Sequence, residues 1–276
     1  KIHESEKYEG AIVFEPKPGF YKDPIPVLDF NSLYPNSIIE NNISHETHVI
    51  DKTMLDLIEN NKLNIPNYNF ITLLYDNNKK KEKCVFAIKK NEFGIIPKIL
   101  NDLLIERKKI KKLLEKENDV FVQKILDGFQ LALKITANSL YGQLGARTSP
   151  IYKKELAAAT TATGRMIIEH ARDFVKFNIK NIVNNVNNEN FEKEMECILN
   201  TSKFMNKNKS KQEFLLEIKN QINKLNDIIN PDVIYGDTDS IFINYMFNDK
   251  NNSLEKSIML SKLISSLIYY VLPESQ

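Results

Sequence analysis

Net charge is nearly absent from this chain: 38 lysines and arginines stand against 36 aspartates and glutamates, a formal +2 over 276 residues. A free-standing nucleic-acid-binding domain is usually far more basic, so a broad basic face cannot be inferred from the totals. A site that gathers acids around a metal would also hide basic residues in such a count. Cysteine is scarce. Cys84 and Cys197 are isolated, with no C-x-x-C spacing, which excludes a cysteine-built zinc site and points to a reducing compartment. The start shows neither an initiator Met nor a signal-peptide pattern. No long run is purely apolar: residues 253–272 carry Glu255, Lys256 and Lys262 in their first half, so a packing helix is expected there and not a membrane span. The length allows one or two domains with a sizeable core.

What is present begins with YGDTDS at 235–240, flanked by Val233, Ile234, Ile241, Phe242 and Ile243. On a strand, residues two apart share a face, so Asp237 and Asp239 would point at one spot. At a hairpin tip they would crowd that tip instead. Two like charges held together call for a cation, and Mg²⁺ takes one or two carboxylates plus substrate phosphates. A plain surface turn also produces D-x-D.

Upstream, VLDFNSLYPNSII spans 27–39. Val27 and Leu28 read as the end of a buried strand, with Asp29 where the strand gives out. Pro35 suits the first turn of a helix, which puts Ser32, Leu33 and Tyr34 at or just before its N-terminus. Backbone N–H groups and the positive dipole end favour phosphate oxygens there. An N-capped helix after a core strand would account for Asp29 but not for Tyr34.

In KITANSLYG at 134–142, Lys134, Asn138 and Tyr141 fall at helical spacing on one face. The apolar positions Phe121, Ile125, Phe129 and Leu133 extend that helix back to about Val120, and Gly142 reads as its C-terminal glycine. Taken alone, such a polar stripe could equally be solvated surface. A preceding helix is expected from Pro97 to about Glu117 on Ile99, Leu103, Ile110, Leu113 and Leu114, with a break at Asn118–Asp119. Two long helices with a tight connection make an antiparallel hairpin. Strand-like runs at Phe70–Tyr75 and Cys84–Ile88 flank the turn cluster at 76–83. Residues 178–230 are rich in Asn and Lys and carry no motif. Phe214, Leu215, Ile218, Ile222 and Leu225 make part of that stretch helical, and it reads as a surface insertion, with either a specific partner or an AT-rich genome behind its composition.

DFNSLYPNSII, KITANSLYG and YGDTDS, in that order, resemble motifs A, B and C of family B DNA polymerases. YEGA at 8–11 is similar to the family's Y-x-G-G linker, with Ala11 in place of the second glycine. GIIPKILNDLLIERKKIKK at 94–112 resembles the first fingers helix, and TTATGR at 160–165 the segment between motifs B and C. The likeness covers roughly 7–177 and 231–245. YPNSIIENNISHET and ANSLYGQLGARTSPIY resemble most the wording of polymerases from large nucleocytoplasmic DNA viruses, then eukaryotic polymerase delta.

The resemblance implies an α+β fold: a palm with an antiparallel sheet and packing helices, plus a helical-hairpin fingers subdomain. Residues 1–92 and 146–276 would be palm and 93–145 fingers, with an insertion at about 178–230. It implies a DNA-directed DNA polymerase in DNA replication, at a viral replication site in the host cytoplasm or nucleus, or in the nucleus if the source is cellular. Asp29 and Asp239 would hold two Mg²⁺ ions about 3.5–4 Å apart, with Mn²⁺ able to substitute, the carbonyl of Phe30 as a further ligand and Asp237 as a supporting acid. Ser32, Leu33, Tyr34, Arg107, Lys111, Lys134 and Asn138 would meet the incoming deoxynucleotide, Lys134 also as general acid toward pyrophosphate. The Tyr34 ring would lie under the deoxyribose and exclude a 2′-OH. Tyr8, Gly10, Tyr141, Gly142 and Tyr235 would meet primer-template DNA, with Tyr141 and Gly142 on the minor-groove side of the nascent pair. A sliding clamp or processivity factor is an implied partner, and no membrane is.

Two other readings compete. A D-x-D nucleotide-sugar transferase would use Mg²⁺ but leaves SLYP and the Arg107 and Lys134 helices unexplained. A catalytically silent DNA-binding relative would be expected to have lost Asp29 or Asp239. With no D-x-E exonuclease signature and no thumb-like segment after motif C, the chain is expected to be the palm and fingers of a longer polymerase.

Overall fold

A computed structural model describes residues 8–272 apart from 61, 64, 78–79, 91, 190 and 200–209. In chain order the elements are β1 (Val13–Phe14), β2 (Val27–Asp29), α1 (Leu33–Glu40), β3 (His48–Val49), α2 (Lys52–Glu59), β4 (Tyr68–Asn77) and β5 (Lys80–Lys89). Then come α3 (Ile95–Leu114), α4 (Val120–Gly145), α5 (Lys154–Phe174), a π-helical turn (Val175–Ile179), α6 (Lys180–Asn184), α7 (Phe191–Ile198) and α8 (Lys211–Leu225). The hairpin β6 (Asp232–Asp237) and β7 (Ser240–Asn244) and the helix α9 (Ser253–Val271) complete it. Mixed helices and antiparallel sheets match the α+β expectation. No described helix is long and apolar enough to cross a membrane.

The described residues divide into two compact units, one of 8–11 with 32–164, the other of 12–31 with 165–272. In the first, the antiparallel sheet β3-β5-β4 packs its apolar face (Ile71, Leu73, Cys84, Phe86) with Ile38, Leu100, Ala137, Leu144 and the small residues Ala157–Ala159 in one core. Burial pushes the Cys84 thiol up to about 12, which suits a packing residue and not a reactive one.

The helical hairpin follows its sequence signals with two shifts. Asp119 caps α4 by accepting from the amides of Phe121 and Val122, as a short acidic side chain at a break should. Gly142 does not end α4, which continues to Gly145: one glycine costs only about 1 kcal/mol, too little to stop a helix whose next turn buries Leu144. The buried stripe is also displaced. In α3, Ile96, Leu100 and Ile110 are buried while Ile99 and Leu113 are exposed, and in α4 Phe121, Ile125 and Phe129 are exposed. A two-helix projection has too little surface to cover every apolar position.

In the second unit the sheet order is β1-β6-β7-β2, so β2 is an edge strand. Val27 is therefore 48% exposed and not the end of a buried strand. Residues 178–230 do not lie wholly on the surface: Ile182, Val183, Phe191, Met195, Phe214, Ile218 and Ile222 are buried. α8 starts with a capping box built by Ser210 and Glu213, and Phe214 meets the ring of Tyr270 on α9 at 4.6 Å. α9 is the expected packing helix, with Leu260, Leu263, Ile264 and Leu267 buried.

Candidate active site

The second unit carries the carboxylates. β6 and β7 pair antiparallel from Asp232↔Asn244 to Asp237↔Ser240, leaving Thr238 and Asp239 as a two-residue turn. The D-T-D triplet is thus a hairpin tip and not a run of strand. Thr238 has φ 53°, and the Asp239 amide donates back to the Asp237 carbonyl at 2.6 Å. This is a γ-turn of the positive-φ kind, costly for a β-branched residue. Hydrogen bonds hold it there: the Thr238 amide donates to the Ile12 carbonyl at 3.0 Å, and its hydroxyl to Asp237 Oδ1 at 2.8 Å. Strain of this sort persists only where the surroundings over-determine it.

The register then brings the other acid in. β2 pairs with β7 so that Asp29 lies across from Ser240, the residue after Asp239, and the Phe30 amide donates to the Asp239 carbonyl at 2.7 Å. Asp29, Phe30, Asp237 and Asp239 therefore gather at one end of one sheet. Two carboxylates and a backbone carbonyl are hard oxygen donors that suit Mg²⁺ once substrate phosphates and water complete the set. Among the described residues no group of three or more His, Cys, Asp or Glu side chains is placed to hold a metal ion by itself. Tyr235 stands on β6 with its ring 5.3 Å from that of Phe242.

The first unit carries the rest. Ser32 is the N-cap of α1 with φ 53°, and Pro35 lies in the first turn, so Ser32, Leu33 and Tyr34 do sit at a helix start. Leu33 is buried and Tyr34 half-buried. The Tyr34 ring stacks on that of Tyr141, centroids 4.4 Å apart and planes at 30°. Tyr141 in turn shares a hydrogen bond with Tyr8, whose phenol burial pushes upward against that bond. Tyr8 Oη lies 2.6 Å from where a Cβ on Gly145 would be, so a side chain at 145 would force the Tyr8 phenol to shift.

Lys134 and Asn138 are exposed on one face of α4, and Arg107 and Lys111 lie one turn apart on α3. Arg107 Nε donates to Gln130 Oε1 at 3.3 Å. Gln130 lies one helical turn before Lys134 on α4. Gly10 and Gly142 have open space where a Cβ would be.

Three features escaped sequence reasoning. Gln130 had no motif to mark it. The loop Asn42–Thr47 caps α3: Gly94 N–H donates to Asn42 Oδ1 (2.7 Å), Ile95 N–H to Glu46 Oε1 (2.5 Å) and Ile96 N–H to Ser44 Oγ (3.3 Å). Burial raises the Glu46 carboxyl, but the bonds from Ile95 and Ser44 outweigh it and leave the pKa lowered. Gly164, inside α5, lies against Tyr34; a glycine in a helix interior was the available signal.

The family model for DNA polymerase family B matches residues 1–271. The chain belongs to DNA polymerase family B. It is 35% identical to a DNA polymerase of Pyramimonas orientalis virus, over 93% of this chain and 21% of that protein. It is 33% identical to the DNA polymerase delta catalytic subunit of Drosophila melanogaster, over 95% of this chain and 19% of that protein. The family B DNA polymerase from the archaeon Pyrobaculum calidifontis is structurally similar, with a TM-score of 0.51 and 25% identity, over 97% of this chain and 25% of that one. This family B chain thus spans about a fifth of the length of the curated relatives it matches.

Proposed function

We propose that this family B chain is the palm and fingers of a DNA-directed DNA polymerase that extends a primer 3′-OH with deoxynucleotides. Residues 1–92 and 146–276 are palm and 93–145 fingers in this reading. The observation that carries it is the register setting Asp29 across from Ser240, beside Asp239, with Phe30 hydrogen-bonded to Asp239. Bound to Asp29, Asp239 and the Phe30 carbonyl, two Mg²⁺ ions would lower the pKa of the primer hydroxyl and neutralise the triphosphate. Asp237 supports the turn more than it ligates, since its Oδ1 and carbonyl accept bonds from Thr238 and Asp239.

Arg107, Lys111 and Lys134 bind triphosphate oxygens, Arg107 through two donors of its fork. Asn138 donates to the same tail. Lys134 delivers a proton to the departing pyrophosphate oxygen. Backbone N–H groups at the start of α1 bind phosphate oxygens. Tyr34 excludes the 2′-OH, Tyr141 and Gly142 meet the minor-groove edge of the nascent pair, and Tyr8, Gly10 and Tyr235 contact primer-template. Phosphoryl transfer is mainly positioning and charge stabilisation, and these residues supply both. The likeness to viral and delta polymerases supports a role in replication; in this reading the protein works at a viral replication site in the host cytoplasm or nucleus, or in the nucleus of a cellular source, with a sliding clamp or processivity factor as partner. Primer extension by the full-length protein tests the reading: extension with Mg²⁺, lost on chelation and restored by Mn²⁺, is expected. No extension under any divalent ion would identify a silent relative.

A further inference from the structure

Gly164 occupies an odd place. It lies ten residues into α5, a 21-residue helix, where glycine costs about 1 kcal/mol relative to alanine. Its φ is not in the left-handed region, so backbone conformation does not require it. A close approach does. A Cβ there would stand 2.9 Å from Tyr34 Cε1, 3.4 Å from Tyr34 Cδ1 and 3.3 Å from Leu33 Cδ2. Carbon atoms at optimal separation stand about 3.5–4.0 Å apart, so an added methyl group would displace the ring edge by roughly 0.6–1 Å. The ring cannot simply turn aside, because Tyr141 stacks on it at 4.4 Å and Leu33 is buried beside it.

We propose that Gly164 is a positioning residue for sugar selection: its missing side chain sets how far the Tyr34 ring projects toward the incoming nucleotide. The proposal rests on the reading of Tyr34 as the ring beneath the deoxyribose. Adding a methyl group at 164 pushes the ring off α5, toward its half-exposed side, where the sugar must lie. The deoxyribose then loses room as well as the ribose. The clash is with the bound sugar, so it falls on nucleotide binding more than on turnover.

The test is a two-residue cycle in the full-length polymerase, with KM and kcat measured for a deoxynucleotide and its ribonucleotide. Gly164→Ala should raise the deoxynucleotide KM by about ten-fold, with a smaller change in kcat. In a Tyr34→Ala background, Gly164→Ala should have a much smaller effect on both constants, because the ring it displaces is gone and only the milder approach to Leu33 remains. An unchanged KM in Gly164→Ala overturns the proposal, as does an effect that persists undiminished beside Tyr34→Ala. If Gly164→Ala fails to fold, Gly164→Ala with Tyr34→Ala should restore the soluble, active enzyme. Failure of that rescue means Gly164 is demanded by packing alone and also overturns it. Tyr34→Ala by itself separates the two layers. Without gain of ribonucleotide use, the reading of Tyr34 fails; with that gain but no response at 164, only the role of Gly164 fails.

Discussion

At residue scale, Tyr34 combines a rigid setting with a half-exposed ring. Its backbone is fixed by the start of α1 and its ring by the stack on Tyr141. If the ring excludes a hydroxyl by bulk, removing the ring should matter and removing the phenol oxygen should not. Tyr34→Ala in the full-length enzyme should raise ribonucleotide relative to deoxynucleotide incorporation by about 100-fold. Tyr34→Phe should stay close to wild type. Equal permissiveness of the Phe and Ala variants in competing-nucleotide assays would make the hydroxyl the discriminator. The two acids of the hairpin are likewise separable. Asp237→Ala should slow incorporation less than Asp239→Ala, because Asp237 already accepts from the Thr238 hydroxyl; the reverse ranking would exchange their roles. Tyr34 was legible in SLYP, but Gly164 was not, because what a glycine makes room for is a property of another element.

At element scale, the hairpin α3–α4 is anchored by its start and open at its far faces. Glu46 holds the α3 start through Ile95, and its folded pKa is lowered. A lowered carboxyl contributes stability that is fully present above the ordinary glutamate value and lost as pH falls through the folded one. The protection factor of the Ile95 amide, corrected for intrinsic exchange, should therefore fall in acid, and Glu46→Gln should remove that fall; an unchanged protection profile would show that Glu46 does not anchor the helix. Gly142 tests the opposite case. With open space around it inside α4, Gly142→Ala should stabilise the chain by up to about 1 kcal/mol in thermal unfolding. If Gly142 meets the nascent pair as proposed, the same change should weaken primer extension by the full-length enzyme, because the methyl group would take up that open space. Stabilisation without loss of extension would remove Gly142 from the DNA surface. Both helices were readable from spacing and from Asp119, whereas the helix end was misplaced at Gly142. Local propensity is weak, and Leu144 gains more by burial than the glycine costs.

At the scale of the whole molecule, the order of three motifs carried the architecture. Their distance in sequence hid how two of them meet. Asp29 and Asp239 are 210 positions apart, and only the β2–β7 register shows that they share one sheet end. The edge position of β2 was equally invisible, since a three-residue strand reads the same at an edge or in a core. Residues 178–230 read as surface because Asn and Lys dominate their composition, yet their apolar minority is buried and Phe214 of α8 meets Tyr270 of α9. The central claim is that this sheet end binds the ions of nucleotidyl transfer. Its most direct test is single-turnover incorporation of one deoxynucleotide by the full-length enzyme and its Asp29→Ala and Asp239→Ala variants, with DNA affinity measured alongside. The account predicts a loss of about 1,000-fold or more in each variant at nearly unchanged DNA affinity, whereas incorporation near the wild-type rate in either variant would contradict it.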